Sequence, residues 1–325
     1  MDRPLIEDMG ASCQRTVLRK NDTQTLGALT KRYDKKCDIL VIKYIDDRKT
    51  LDVIYSMRRL GKFKVIVDID DNLWQMPVGN VAMGTAAQHA NRIFSLTQSA
   101  ISADWITVST VPLYNALKPL NSNIAVLPNY VKPEEWKFKR KKHSKVRIGW
   151  VWSPTHIPDM HVVEGALRRI YTKYKDKIEI VIFGTTFDIF KGIPTTNIKG
   201  VRFDKYPQTF TEAGIDISIA PLDDNDFNKS KSNIKWMESA MAGAAFIGSK
   251  VYPYEYSVKD GKTGYLAKGE AQWIKRLEFL IENEGKRKEL AENAKKEVIR
   301  LSKEYKQKWT DFYGYLEHEL KKERR

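Results

Sequence analysis

Cysteine is almost missing from this chain: two residues in 325, Cys13 and Cys37. Two thiols do not make a metal site by themselves, and one bridge would be a thin framework at this length, so reduced, non-catalytic thiols are expected. No apolar run approaches the roughly 18 residues that suggest a membrane span. The N-terminus, Met1-Asp-Arg-Pro-Leu-Ile-Glu-Asp8, carries no secretory pattern, and a cytoplasmic protein is expected. Also missing are Gly-x-Gly-x-x-Gly after a strand, Gly-x4-Gly-Lys, Cys-x-x-Cys and His-Glu-x-x-His, which removes the commonest dinucleotide, P-loop, redox and zinc-protease readings. Gly261-Lys-Thr-Gly264 resembles a phosphate loop only in part, because Tyr256 stands at the upstream glycine position; it reads as a turn entering a strand. Internal repeats and low-complexity segments are absent too.

What is abundant is positive charge. The formal net charge is +15, with 42% apolar and 30% charged residues, a globular composition at a length that suits two domains. An enzyme handling only small molecules needs no such excess, so a polyanionic partner is expected: DNA, a teichoic-type polymer or an anionic membrane surface touched peripherally. Lys137, Lys139, Arg140, Lys141, Lys142, Lys145 and Arg147 crowd one short segment. The competing reading of that run is a linker kept soluble by its charge. No sequence signal specifies an oligomeric state.

Short β-rich apolar runs alternate with helical patterns. Strands are expected at 38–44, 63–69, 104–109, 123–127, 146–151, 178–184, 215–221 and 244–248, with helices at 51–60, 86–100, 160–174, 233–242 and 271–283. Continuous apolar strands separated by helices imply parallel sheets covered on both faces. The alternation breaks once, at Pro128-Asn-Tyr-Val-Lys-Pro-Glu-Glu-Trp136, where two prolines and no periodicity mark an interdomain connection. The expected architecture is α/β, with two Rossmann-like domains facing each other across a cleft: residues 1–136, a basic linker at 137–145, and residues 146–302. A last helical pattern at 303–320 carries Tyr305, Trp309, Phe312, Tyr313 and Leu316; with the tail to 325 it is expected to complete the first domain.

The stretch from Pro221 to Gly243 joins an acidic loop to a charged helix. Lys231, Lys235 and Glu238 recur at i, i+4 and i+7, which predicts one stripe near a helix start. Two ammonium groups beside the positive end of a helix suit a diphosphate, and a carboxylate one turn on accepts from sugar hydroxyls, so a nucleotide diphospho-sugar is the implied ligand. The competing reading of Glu238 is an i, i+3 ion pair with Lys235 on an exposed helix. Ser153-Pro-Thr-His-Ile-Pro-Asp-Met160 follows a strand and opens a helix, where free amides and His156 would meet a phosphate. His156, Asp159 and His161 are weighed as a metal cluster and set aside. Asp68, Asp70 and Asp71 close another strand; they are expected to orient acceptor hydroxyls or fix the loop carrying Trp74, with a metal site or a solvated turn as alternatives. His89 and Arg92 lie on a helix facing cleft or core.

These residues also carry a resemblance. Ala220-Pro-Leu222, Phe227-Asn228, Lys231-Ser232, Lys235, Glu238, Ala242-Gly243 and residues 258–266, together with residues 67–74, Ala103-Asp104, Val108-Ser-Thr110 and Leu127-Pro-Asn129, stand in family order and spacing. The chain resembles a GT-B glycosyltransferase of the large retaining, glycogen-synthase-like group 1 family, in a branch common to phages and surface-polysaccharide clusters. The resemblance implies hexosyl transfer from a UDP- or GDP-linked sugar to a hydroxyl acceptor, with retention and with no metal or other cofactor. It also implies an N-terminal acceptor domain and a C-terminal donor domain. Lys231, Glu238, Asp70 and Asp71 are then expected in catalysis. His156, Ser153, Thr155, Lys235, Ser232, Asn228, Asp226, Gly184, Thr185 and Arg15 are expected around the donor, with base contacts near 184–187 and 204–206. Arg15 follows Gly10-Ala-Ser-Cys-Gln14, which resembles the family's first glycine loop. Relatives often carry Glu-x7-Glu; here the first position is Ser230, and Asp223, Asp224 or Asp226 are candidates to replace its carboxylate. The implied acceptors are a cell-envelope glycan, a teichoic-type or lipid-linked intermediate, or a hydroxymethylated base in DNA. A non-catalytic sugar-nucleotide or polyanion binder is the second reading, and a metal-dependent Asp-x-Asp transferase the third.

Overall fold

The computed structural model describes residues 14–17, 37–43, 48, 51–52, 55–56, 59, 64–80, 83–151, 154–184 and 190–323. The chain divides into two compact units. One comprises Met1–Met76, Met83–Pro128 and Tyr305–Arg325; the other comprises Pro77–Ala82 and Asn129–Glu304.

In the first unit five strands run in chain order as one parallel sheet: β1 (Gln14–Val17), β2 (Cys37–Lys43), β3 (Lys64–Ile69), β4 (Trp105–Val108) and β5 (Ile124–Val126). Leu40, Ile42, Val65, Val67, Ile106 and Val108 pack on one side with Ala100, Leu113 and Leu117 of the helices α1 (Ala86–Ser102) and α2 (Val111–Leu117). Ile39, Val41 and Ile66 are buried as well, so alternation by two buries both faces. Thr85 and Gln88 form a reciprocal capping box that starts α1. Arg15 lies within β1, paired in register with Ile39, and residues 10–13 of the expected glycine loop lie outside the described residues.

The second unit holds six parallel strands in the order β11-β10-β9-β6-β7-β8. These are β6 (Val146–Val151), β7 (Ile178–Phe183), β8 (Thr195–Ile198), β9 (Ile217–Ala220), β10 (Ala245–Ser249) and β11 (Tyr265–Ala267). Its helices are α3 (His161–Tyr174), α4 (Tyr206–Glu212), α5 (Asp226–Lys229), α6 (Ile234–Met241), α7 (Tyr252–Glu255), α8 (Glu270–Glu282) and α9 (Glu284–Glu323), the last of which runs on into the first unit. Sequence periodicity passes over β8 because its residues, Thr195-Thr-Asn-Ile198, are mostly polar and none is fully buried at this sheet edge. Gly261 and Gly264 form the turn into β11, where the Gly261 amide bonds the Gly264 carbonyl at 2.8 Å. Gly149 in β6 admits no side chain: a Cβ there would lie 2.4 Å from Ile215 Cδ1.

The basic run at 137–145 is grouped with the second unit and is pinned to it. Arg140 donates to the carbonyls of Gly243 and Ile215 at 2.6 and 2.7 Å and to Asp216 at 3.0 Å. Arg147 bonds Glu179 at 2.8 Å and the Ala213 carbonyl at 2.7 Å. These guanidiniums gather at the amino ends of β6 and β9, the opposite edge of the sheet from the loops that follow those strands.

The helical pattern at 303–320 is the second half of α9. Its first half is rich in Ala, Leu, Glu, Lys and Arg and contains i, i+4 pairs such as Glu284 with Lys288 (2.6 Å) and Arg300 with Glu304 (3.1 Å), so nothing breaks the helix before Tyr305. Leu290, Ala294 and Val298 are buried on the half counted with the second unit. In the first unit Trp309 Nε1 donates to the Pro128 carbonyl at 3.0 Å, and Phe312 and Tyr315 meet Trp105 edge-on at 5.4 and 5.8 Å. Among the described residues no helix is long and apolar enough to cross a membrane.

Candidate functional site

β6 is the first strand of its sheet in sequence yet lies inside it, with β7 on one side and β9 on the other. Connections leave its carboxyl end and that of β9 in opposite directions, and in open parallel sheets such a switch point is where ligands bind. The loop after β6 contains the turn Pro154–Asp159 ahead of α3. The loop after β9 carries Asp223 and Asn225, then α5, then residues 230–233 ahead of α6.

One buried carboxylate ties the two loops together. Asp159 Oδ2 accepts from His156 Nδ1 at 3.0 Å, while Oδ1 accepts from the Asp223 amide at 3.0 Å and from Asn228 Nδ2 at 2.6 Å. Asn228 is held in turn: its Nδ2 also reaches the Asp223 carbonyl, and its amide donates to Asn225 Oδ1 at 2.9 Å as the cap of α5. Burial holds the His156 imidazole below its ordinary pKa against the pull of Asp159, and the charges of Lys231 and Lys235 push the same way as burial. Both ammonium groups therefore act on this histidine.

Lys231 does not lie on the helical stripe. α6 begins at Ile234, and Lys231 sits in the preceding turn with its amide on the Asn228 carbonyl and its ammonium 4.4 Å from the centre of the Phe227 ring. The physical reason is the polar Ser232-Asn233 pair, which takes side-chain bonds outside a helix: Ser232 Oγ accepts from Asn129 Nδ2 at 2.9 Å and Asn233 Nδ2 donates to Ser257 Oγ at 2.7 Å. Lys235 and Glu238 do share a face of α6.

Glu238 is only 4% exposed, so the reading of an ion pair on an exposed helix fails on exposure, although the pair itself is present. Glu238 Oε2 accepts from Lys235 Nζ at 3.1 Å and from the Tyr206 hydroxyl at 2.9 Å. Both bonds fall on the same oxygen, and Oε1 takes none among the described residues. Burial, then the Glu238 charge, pushes the Tyr206 hydroxyl well above its usual range, so it is a fixed donor. Its ring stacks on Phe210 and meets Phe183 and Trp136 edge-on. Tyr254 of α7 is buried as well, and desolvation first, then the charges of Asp159 and Glu238, raises its pKa.

The acidic loop behaves unevenly. Asp224 and the exposed Asp226 share Lys229 at 3.0 and 3.5 Å. Asp223 lies 3.6 Å from His161. Ser230, at the position where relatives often carry a carboxylate, is buried and donates to the Asp226 carbonyl at 2.8 Å. Gly184 ends β7 with φ +127°, and its amide donates to Ile198 across to β8. Ser153 and Thr185 lie outside the described residues, as do the side chains of Arg15 and Thr155.

The acids of the first unit form a separate group. Asp68 is buried and accepts from Thr107 at 2.7 Å; Asp70 pairs with Lys43 at 2.9 Å; the Asp71 carbonyl starts the turn that carries Leu73. Trp74 in that turn donates to Thr97 at 2.9 Å. Among the described residues no three His, Cys, Asp or Glu side chains form a metal-binding group.

Sequence reading missed the central part of Asp159, which it considered only as a metal ligand, and missed Tyr254 altogether. The available signal was Asp159 standing three residues after His156 in the turn that follows a strand. Tyr206, expected near a base, donates its hydroxyl to Glu238.

Residues 233–297 match the family described as glycosyl transferases group 1. A search of curated proteins finds no match. Among solved structures, sucrose-phosphate synthase from Thermosynechococcus elongatus superposes with a TM-score of 0.65 at 12% identity, over 90% of this chain and 77% of that one. HepE from Anabaena, solved with UDP and glucose, gives 0.65 at 11% identity over 89% and 80%. A TarM variant from S. aureus, solved with fondaparinux, α-GlcNAc-glycerol and UDP, gives 0.58 at 14% identity; 84% of this chain spans about half of that enzyme, 54%. The shared architecture is GT-B, two parallel α/β sheets.

Proposed function

We propose that the chain is a glycosyltransferase that moves a hexosyl unit, with retention and without a metal, from a UDP- or GDP-linked sugar to a hydroxyl on a polyanionic acceptor, a reading supported by its GT-B fold and its group 1 segment. The observation that carries the donor reading is the set of groups at the switch point of the second sheet: Lys231, Lys235, His156 and the buried Glu238. Group transfer of this kind asks for stabilisation of the leaving diphosphate by preorganised charge. Lys231 and Lys235 neutralise it, and Glu238 Oε1 accepts from ribose hydroxyls. UDP in the HepE and TarM structures supports a uridine nucleotide first. Of the three acids available to replace the carboxylate absent at Ser230, Asp224 and Asp226 are neutralised by Lys229, which favours Asp223 on the sugar side. Asp70 and Asp71 are proposed to orient the acceptor. The surplus charge of +15 supports an envelope polymer, a lipid-linked intermediate or modified DNA as that acceptor, with action in the cytoplasm.

A thermal-shift panel of UDP-, GDP- and ADP-sugars tests the donor, followed by release of nucleoside diphosphate on addition of candidate acceptors. One nucleotide series should stabilise the protein, turnover should survive EDTA, and Lys231→Ala with Lys235→Ala together should abolish both shift and turnover. If the double variant binds and turns over like the wild type, the donor site is elsewhere. Filter binding that falls steeply with salt would select DNA as the acceptor, whereas binding to anionic vesicles alone would select an envelope substrate.

A further inference from the structure

We propose that Asp159 is a positioning residue for the donor diphosphate: it clamps the loops after β6 and β9 together and holds His156 with Nδ1 protonated, so that diphosphate binding draws a proton onto Nε2. The inference rests on the donor reading above and adds to it a role for Asp159 and a proton balance.

The geometry leaves little choice of tautomer. Asp159 is 3% exposed and surrounded by donors: the Asp223 amide and the Asn228 carboxamide on Oδ1, and the His156 ring on Oδ2. With three N–H groups directed at its two oxygens, this carboxyl group serves as an acceptor toward the ring. Nδ1 of His156 is therefore the N–H end. Nε2 takes no hydrogen bond among the described residues and carries the lone pair of the neutral ring.

A lone pair repels a phosphate oxygen, so a diphosphate at Nε2 requires imidazolium. In the free protein that charge is disfavoured. Burial opposes it first; Lys231 from the turn before α6 and Lys235 from α6 oppose it as well, and only Asp159 pulls the other way. The remaining charged groups near the loops are Glu238, bonded to Lys235 and Tyr206; Asp223, 3.6 Å from His161; and Lys229 with Asp224 and Asp226. A diphosphate reverses the balance by neutralising the two ammonium fields and placing negative charge on the ring. The ring then takes one proton from solvent to Nε2, and the charge returns to solvent when the nucleotide leaves. No bond other than N–H is made or broken.

Calorimetric titration of the full chain with UDP, repeated with GDP and ADP, in pairs of buffers that differ in ionisation enthalpy counts the protons taken up. Wild type should take up a fraction of a proton that approaches one as pH rises above the free-ring pKa, and affinity should fall up to tenfold per pH unit there. His156→Gln should bind with no uptake. Asp159→Asn should weaken binding by roughly tenfold and shift the uptake to a different pH range, with a parallel change in the pH profile of KM. Should Asp159→Asn fold poorly, the wild-type proton count still decides the matter. UDP bound by the wild type with no proton uptake, or with uptake that persists in His156→Gln, overturns the inference and leaves the donor site standing. Failure of all three nucleotides to bind sinks the donor reading and this inference together.

Discussion

Asp159 and Asn228 stand 69 positions apart in the chain and meet at 2.6 Å, carboxylate oxygen to carboxamide nitrogen, with both side chains buried. Together with the bond from the Asp223 amide, this contact joins the loop after β6 to the loop after β9. Asn228→Ala removes it and leaves Asp159 Oδ1 with only the Asp223 amide. The expected loss is about 1–3 kcal/mol of stability in urea unfolding, together with weaker nucleotide binding. A variant as stable as the wild type would show that the loops hold each other without this bond.

Lys235 and Glu238 are expected to be coupled. Glu238→Gln keeps the shape and the Tyr206 bond but removes the charge, so affinity for the preferred nucleotide sugar should drop roughly ten- to hundredfold while the fold persists. Lys235→Met strands a carboxylate that is 4% exposed and should cost more stability than Glu238→Gln. The double variant should lose less than the sum of the singles, a difference read from urea midpoints. Strict additivity would mean that the 3.1 Å pair contributes nothing.

The end of α9 should hold the first unit together. Trp309 is 2% exposed and donates to the Pro128 carbonyl. Trp309→Ala is expected to cost roughly 3–5 kcal/mol. Hydrogen exchange should show the loss in β4 and β5 of the first unit, with β6 and β7 little changed. Uniform loss across both sheets would refute the division of labour along this helix.

Acid sensitivity is predicted at Glu179. Burial would raise its pKa, but the Thr196 hydroxyl and the Arg147 guanidinium outweigh that and hold it below the ordinary 4.5. A carboxylate whose folded pKa is depressed adds stability that is present above its unfolded value and is lost as pH falls through the folded one. Glu179→Gln should therefore be less stable than the wild type at neutral pH, with the gap closing below about pH 4. Urea unfolding across that range checks the sign.

Much of the scaffold was legible because strands buried on both faces are mostly apolar, even where a charged residue such as Asp68, Arg147 or Glu179 finds a partner. The runs at 64–69, 146–151 and 178–183 show this, while β8 escaped because its edge position tolerates Thr195-Thr-Asn197. Lys235 and Glu238 were legible as well, since helix spacing is a property of the chain alone. Lys231 was misplaced because Ser232 and Asn233 find partners at Asn129 and Ser257, distant positions that the local spacing does not reveal.

The amino-acid order by itself determined most of the segments that become strands and helices, because these follow from local periodicity, and it supplied lysines, a histidine and carboxylates of the types that suit a diphosphate. Only the tertiary structure decided that β9 lies beside β6, and with it that Asp159, Asn228 and Asp223 share one buried point and that Tyr206 reaches Glu238. Strand order and long-range hydrogen bonds arise from packing between segments far apart in the chain, and a carboxylate acquires its partners only when that packing removes it from water.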